Sequence, residues 1–160
     1  MGGAPNPSGR IKLENDAIVY ELRNQEAWRL PIPDVRVVGE YTTSALGDDY
    51  FFVFATKNTE WFVASFYAEG RDETFAELGR RLHHELQPGL CNSADLKSRT
   101  LWPARLEGHP LFDFAPAPSP ANILSKLWRR VSPRVCFRFT DEVQREICGQ
   151  SNASQFQRLF

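Results

Sequence analysis

The stretch that decides the fold is RLPIPDVRVVGEYTTS, residues 29–44, which lies between two runs rich in aromatic residues. Proline cannot donate a backbone hydrogen bond to a sheet, so Pro31 and Pro33 confine this point to a sheet edge, a bulge or a crossover between strands. The residues from Asp34 onward alternate as a strand does, and Gly39 marks a place where the ladder bends or bulges. The stretch is therefore interpreted as an edge of a β-sheet and not as a reaction centre.

Short runs rich in β-branched and aromatic residues flank this stretch, which is typical of strands. Asn15-Asp16, Asn24-Gln25 and Lys57-Asn58 are predicted to be turns. DYFFVFAT is apolar on both faces, which predicts a central strand, and we expect residues 17–67 to form an antiparallel meander. The predicted strands are RIKLE, AIVYEL, EAWRL, DVRVVGEYTTS, DYFFVFAT and EWFVASFYA, and the predicted core residues are Ile18, Tyr20, Trp28, Val37, Phe52, Phe54 and Phe62.

After Gly70 the spacing of apolar residues changes from two to three and four. Asp72 or Thr74 is suited to cap a helix N-terminus. We predict a helix over residues 72–87 that ends at Pro88-Gly89 and covers the sheet, because a lone amphipathic helix is not stable in water. Its apolar stripe comprises Phe75, Leu78, Leu82 and Leu86.

The tail divides into several predicted elements. Residues 99–114, RTLWPARLEGHPLFDF, are too apolar to lie in water and are expected to pack on the sheet, with RTLWPARL as the candidate for a further strand. APAPSP is predicted to be an extended spacer because prolines favour polyproline II. ANILSKLWRRV then predicts a helix over residues 122–131, CFRF a short strand and TDEVQREIC a last helix. The apolar residues expected to pack are Leu101, Trp102, Leu106, Leu111, Phe112 and Phe114.

The runs AIVYEL, RLPIPDVRVVGE, DYFFVFAT, EWFVASFYA and DETFAELGRRLHHEL together resemble a pleckstrin-homology-like domain of the bacterial PH and GRAM-like group, over residues 10–87. The resemblance implies an α+β fold, a bent antiparallel β-barrel capped by a helix, here with a C-terminal helical extension. It divides the chain into a flexible leader (1–9), a PH-like barrel with its packed extension (10–114), and a Pro-rich spacer with a C-terminal helical tail (115–160). The family carries no invariant catalytic or ligand motif.

Composition describes an ordinary soluble domain of 160 residues, with 42% hydrophobic residues and 19 basic against 20 acidic ones. Residues 1–100 carry 11 Lys/Arg and 15 Asp/Glu whereas residues 101–160 carry 8 and 5, so the C-terminal part is the basic one. No apolar run reaches the roughly 18 residues of a membrane span, and the first residues lack the apolar centre of a secretory signal. Cys91, Cys136 and Cys148 are widely spaced, which predicts reduced, buried thiols in a cytoplasmic protein.

The sequence predicts no cofactor and no metal site. His83 and His84 are adjacent in the predicted helix, so they point about 100° apart and cannot grip a metal as an i, i+4 pair would. Asp48-Asp49 falls in a predicted turn, and Glu40 lies on a strand where an outward orientation is expected. An alternative hypothesis is a small enzyme with a carboxylate-lined pocket in the bent sheet, in which Glu40, Asp48 or Asp49 acts as acid or base.

The predicted helix over residues 122–131 is the candidate partner-facing element. Its apolar residues share one face, while the cations lie off that face. Such a helix is suited to an anionic membrane surface, or it packs on its own barrel with a solvated basic rim. The candidate binding residues are Lys126, Trp128, Arg129, Arg130 and Arg134.

The leading hypothesis is a non-enzymatic binding or scaffolding module. A protein partner or self-association is the expected mode of action, and an anionic surface is the alternative mode. Nucleic acid is not an expected partner, because the aromatic residues of the strands are not interleaved with basic ones.

Overall fold

The computed structural model describes residues 6–43, 49–90, 95–116 and 135–149, and within these ranges the chain is an α+β protein with antiparallel strand ladders. The helices are α1 (Arg71–Leu82) and α2 (Asp141–Ile147), and short 3-10 turns occupy Ile32–Asp34 and Ala104–Leu106. The strands are β1 (Arg10–Glu14), β2 (Ala17–Leu22), β3 (Gln25–Pro31), β4 (Val35–Thr42), β5 (Tyr50–Thr56), β6 (Trp61–Ser65), β7 (Lys97–Trp102), β8 (Phe112–Pro116) and β9 (Val135–Phe139).

Strands β1, β2 and β3 form sheet 1, in that order. Asn15 begins the turn between β1 and β2, as predicted, with a φ of 55°. The turn between β2 and β3 consists of Arg23 and Asn24, both with positive φ, and not of the predicted pair Asn24-Gln25. A two-residue hairpin turn of this hand needs two positive φ angles, so β3 already begins at Gln25.

Sheet 2 has the order β6-β5-β4-β7, and β5 has a strand on each side, as its two apolar faces predicted. RTLWPARL supplies most of β7, which pairs with β4. Gly39 lies at a register shift between these two strands, where the sequence predicted a bulge. A Cβ atom on Gly39 would lie 2.7 Å from the side chain of Leu111, so a larger residue would displace the chain that packs there.

Both faces of sheet 2 are covered, and each face has its own apolar core. The first core lies between sheet 1, α1 and one face of sheet 2, and it includes the predicted residues Ile18, Tyr20, Phe52 and Phe54, with Trp28 and Phe62 partly buried against it. The second core lies between the other face of sheet 2, the β8–β9 ribbon and α2. Its buried members are Val37, Val53, Ala55, Leu106, Leu111, Phe112, Phe139, Val143 and Ile147.

The described strands are not closed into a barrel, and residues 17–67 do not form one continuous meander. β3 and β4 belong to different sheets, and the 3-10 turn Ile32–Asp34 carries the chain from one to the other. Pro31 and Pro33 explain the break, because neither can donate to a ladder that would join β3 to β4.

Sheets 1 and 2 meet along β6 through side chains. The Trp28 indole N–H donates to the Val63 carbonyl at 2.9 Å, and the Tyr20 hydroxyl accepts from the Ser65 N–H at 3.4 Å. These contacts engage backbone groups of an edge strand, where a further strand would otherwise pair.

Helix α1 begins after Gly70, which has a φ of 78°, and not at a side-chain cap from Asp72 or Thr74. It ends at Leu82, earlier than the predicted stop at Pro88-Gly89, because His83 adopts a left-handed conformation. The Thr74 hydroxyl instead donates to the Ile11 carbonyl of β1 at 3.0 Å. Leu86 is buried in the first core although it lies outside the helix.

The tail adds β8, β9 and α2. Thr140 caps α2 by accepting a hydrogen bond from the Val143 N–H, which agrees with the predicted last helix. The predicted boundary between residues 114 and 115 falls inside β8, which runs from Phe112 to Pro116. The leader residues 1–5, the predicted helix over residues 122–131 and residues 150–160 lie outside the described residues. Neither α1 nor α2 has the length and apolar character to cross a membrane.

Candidate binding surface

Lys126, Trp128, Arg129, Arg130 and Arg134 lie outside the described residues, but the strands on either side of them are described. Pro116 of β8 is the register partner of Val135 of β9. The two residues that flank positions 117–134 therefore lie at the same end of the β8–β9 ribbon, about 5 Å apart as for any antiparallel pair. The sequence of this segment contains four cations and no acidic residue.

Aromatic side chains line the inner face of the ribbon near that end. Tyr41 stacks on Phe51 with ring centroids 5.2 Å apart, and it meets Phe137 edge-on at the same separation. Phe114 contacts Phe137 at 5.5 Å. Trp61, on the neighbouring edge strand, is 38% exposed. These five residues, which we call the aromatic face, are only partly covered by the described part of the chain.

The outer face of the ribbon is polar. Asp113 and Arg138 are register partners there, and Arg138 lies 3.9 Å from Asp141. Cys136 is exposed on β9, and Cys148 is exposed after α2. The prediction of buried thiols is therefore wrong for both residues, since alternation along β9 gives the inner positions to Phe137 and Phe139. Cys91 lies outside the described residues.

Tyr41 is the titratable member of the aromatic face, and burial shifts the pKa of its phenol. Tyr41 is surrounded by Phe51, Phe112 and Phe137, and this desolvation raises the pKa of its phenol above the ordinary value. The charged phenolate is disfavoured among the rings. Tyr41 is thus held in its neutral form at the centre of the aromatic face.

Two cations of sheet 1, Arg29 and Lys12, are paired with neighbouring acids. Arg29 donates to Glu14 at 2.6 Å and to Glu26 at 3.0 Å, and Lys12 bonds both Glu14 and Glu21. The hydrogen bond from Arg29 is the main reason why the pKa of Glu14 is lowered. These side chains form a solvent-accessible network of ion pairs without an excess of positive charge.

Glu40 is completely buried, which contradicts the expected outward orientation. Its carboxylate accepts hydrogen bonds from the Arg99 Nε at 2.9 Å, from the Gly89 N–H at 3.0 Å and from the Tyr50 hydroxyl. The Leu90 N–H in turn donates to the Tyr50 oxygen at 3.3 Å. Each carboxylate oxygen is therefore engaged by groups of the protein itself.

The structure does not gather the candidate acid and base residues into one pocket. The Asp49 carboxylate accepts from the Tyr67 hydroxyl at 3.1 Å near the surface, whereas Glu40 is enclosed by other partners. Asp48 lies outside the described residues. Sequence reasoning missed Arg99 and Tyr50 as partners of Glu40. The pairing of β4 with β5 and with β7 brings the three side chains to one face of sheet 2, since Arg99 is the register partner of Glu40 and Tyr50 lies two residues from its partner Phe52.

A cleft of about 620 Å³ runs along α1, between the helix and residues 83–88. Phe75 and Leu86 provide apolar surface, and Arg71, Arg80 and the two histidines His83 and His84 stand around it. Arg71 and Arg80 are paired with Asp72 and Glu77. The cleft is therefore mixed in character, without a uniform charge.

The histidines do not form a metal site. His84 Nε2 lies 3.2 Å from a Glu107 carboxylate oxygen, within ion-pair distance but without the alignment of a hydrogen bond. His109 Nδ1 contacts Glu142 at 2.7 Å elsewhere. Across the described ranges, no group of three or more His, Cys, Asp or Glu side chains is placed to hold a metal ion.

No protein-family model matches the chain, and neither the curated proteins nor the solved structures contain a significant match to it.

Proposed function

We propose that this protein is a non-enzymatic binding module that acts through protein contacts in the cytoplasm. The partner-facing element is the basic segment, residues 117–134, together with the aromatic face. In this proposal the fold is a diverged, open relative of the PH-like barrel that the sequence resembles.

The observation that carries the proposal is the position of the basic segment. The pairing of Pro116 with Val135 fixes both ends of the segment at the end of a ribbon, next to Phe114 and Phe137. Arginine and aromatic residues are both enriched at protein interfaces, and the segment joined to this end of the ribbon carries three arginines in its sequence.

The partner we propose is an acidic protein surface. The sequence of the basic segment carries four cations and no acidic residue, whereas Arg29 and Lys12 of sheet 1 are paired with acids. Such cations steer association with a surface of opposite charge. An anionic membrane offers similar charge, and it is the other outcome that the experiment distinguishes.

The contacts of Glu40 favour a binding module over the enzyme alternative. A general acid or base must reach the proton that it transfers. The buried Glu40 carboxylate contacts Arg99, Gly89 and Tyr50 instead, and these contacts explain its presence by the fold that it stabilises.

The test compares binding of two probes by fluorescence anisotropy and co-sedimentation: a labelled polyglutamate peptide, and liposomes of phosphatidylcholine with or without phosphatidylserine. The variant Arg129→Glu/Arg130→Glu reverses two charges of the basic segment. The matched control, Arg23→Glu/Arg36→Glu, reverses two exposed arginines of the sheets. We expect polyglutamate binding that weakens with salt, because exposed charges are screened over about 8 Å at physiological ionic strength.

The double reversal in the basic segment should weaken polyglutamate binding by about tenfold or more, since each exposed ion pair contributes up to about 1 kcal/mol and each reversal adds a repulsion. The control should bind as the wild type does. Binding to phosphatidylserine liposomes without binding to polyglutamate would replace the protein partner by a membrane. Binding to neither probe, or equal losses in variant and control, would contradict the proposal.

A further inference from the structure

Residues 85–90, which we call the strap, follow α1 without regular secondary structure. The preceding helix end is held by its own backbone, since the His84 N–H donates to the Gly79 carbonyl at 2.9 Å. Beyond that point the strap makes no backbone–backbone hydrogen bond to any residue that the structure describes. Its hydrogen bonds to the described part of the protein are instead made with side chains.

Three side chains of sheet 2 hold the strap. Arg99 Nη2 donates to the Gln87 carbonyl at 2.6 Å, the Gly89 N–H donates to Glu40 at 3.0 Å, and the Leu90 N–H donates to the Tyr50 oxygen. These side chains are themselves joined, because Glu40 accepts from both Arg99 and Tyr50. The strap is thus attached to one connected network whose centre is a fully buried carboxylate.

The approach of the strap to the network is close. A Cβ atom on Gly89 would lie 2.6 Å from the Arg99 guanidinium, so this position requires glycine unless the arginine moves. Leu86 is the buried apolar anchor of the strap and also lines the cleft along α1. Movement of the strap therefore changes the width of that cleft.

We infer that Glu40, Arg99 and Tyr50 form a latch that holds the strap against sheet 2, and that release of the latch frees the strap as a unit and opens the cleft along α1. Segments with few backbone hydrogen bonds open locally at free energies well below that of global unfolding. Here the closed state depends on side-chain contacts that converge on Glu40. The latch is a conformational device independent of the proposed partner.

Hydrogen exchange with peptide-level mass spectrometry tests the latch. Glu40→Gln removes the charge that pairs with Arg99 but keeps the shape of the side chain. Thr42→Val is the matched control, because Thr42 is buried on the same strand and bonds the Asp95 carbonyl instead of the strap. We expect the amides of Gly89 and Leu90, whose N–H groups bond the latch, to exchange about tenfold faster or more in Glu40→Gln, the loss expected for a hydrogen bond to a charged group. The amides of α1 and of β5 should be unchanged relative to the Thr42→Val control.

A second variant, Arg99→Lys, keeps the positive charge next to Glu40 but removes the nitrogen that bonds the Gln87 carbonyl. It should also accelerate exchange in the strap, and it decides the outcome if Glu40→Gln does not fold. A fluorescent dye that binds exposed apolar surface, anilinonaphthalene sulfonate, should bind more strongly to both variants as Leu86 becomes accessible. Unchanged exchange in the strap of a folded variant, or acceleration spread equally over both cores, would overturn the latch.

Discussion

Glu40 and Arg99 face each other across the β4–β7 ladder as direct register partners, with a carboxylate oxygen 2.8 Å from the guanidinium. The two side chains differ in their surroundings, since Glu40 is inaccessible and Arg99 keeps 31% of its surface exposed. Removal of one partner of a buried ion pair leaves an uncompensated charge in a medium of low polarity. Loss of Arg99 alone is therefore expected to be costly, because the Glu40 carboxylate would remain buried without its positive partner.

We expect Arg99→Met to lower the free energy of unfolding by about 3–5 kcal/mol, as for other broken buried pairs. The double variant Glu40→Leu/Arg99→Met should lose less than the sum of the single variants, because no charge is left unpaired. Chemical denaturation measures the two single variants, Glu40→Leu and Arg99→Met, and the double variant. The control is Arg36→Met, at an exposed arginine on β4, which should change the free energy of unfolding by less than about 0.5 kcal/mol. Additive losses would show that the two side chains do not act as a pair.

Phe52 lies at the centre of the first core. It is fully buried, and its ring centroid lies 4.1 Å from that of Phe75 on α1. Phe52→Ala should cost about 3–5 kcal/mol through lost burial and the cavity that remains. Thermal and urea denaturation give the value, with Leu22→Ala as the exposed control. A melting curve equal to that of the wild type would contradict this position of Phe52.

Trp28 joins β3 to β6 through its indole N–H, which lies 2.9 Å from the Val63 carbonyl oxygen. Trp28→Phe removes this donor and leaves a partly buried carbonyl without it, so we expect a loss of about 1–3 kcal/mol. Trp61→Phe is the matched control, because Trp61 is 38% exposed. Equal effects of the two substitutions on the urea midpoint would show that the hydrogen bond contributes nothing measurable.

Tyr41 should make stability fall in alkaline solution. Burial raises the pKa of its phenol in the folded state above that in the unfolded state. Its contribution is therefore fully present below the unfolded value of about 10 and is lost as the pH rises toward the folded pKa. Tyr41→Phe should show a smaller alkaline loss of unfolding free energy than the wild type, and absorbance titration should show one fewer late-ionising tyrosine. An identical pH profile for both proteins would exclude Tyr41 as the cause.

The strands could be predicted from the sequence because alternation and turn residues are local signals. The orientation of Glu40 could not be predicted from its own strand, because the groups that surround its carboxylate come from Tyr50 of β5, Arg99 of β7 and Gly89 after α1. A polar residue on a strand is placed outward only if the sheet has an outward face. Here β4 has none over its central residues.

The end of α1 was missed for a different reason. The apolar spacing continues through Leu86, since that residue fills the same core as Leu78 without being helical. The left-handed residue that ends the helix is His83, where glycine is the usual signal. The barrel was implied by the resemblance to the PH-like group, and the runs that carry this resemblance do not determine whether β3 and β4 pair.

The ribbon and α2 also have a consequence for synthesis of the protein on the ribosome. Phe139, Val143 and Ile147 complete the second core, yet they emerge long after Val37 and Val53 of sheet 2. A nascent chain that has reached only residue 116 thus presents an apolar sheet face with only part of its cover, Leu106, Leu111 and Phe112. Such faces are the surfaces that chaperones bind and through which incomplete chains aggregate.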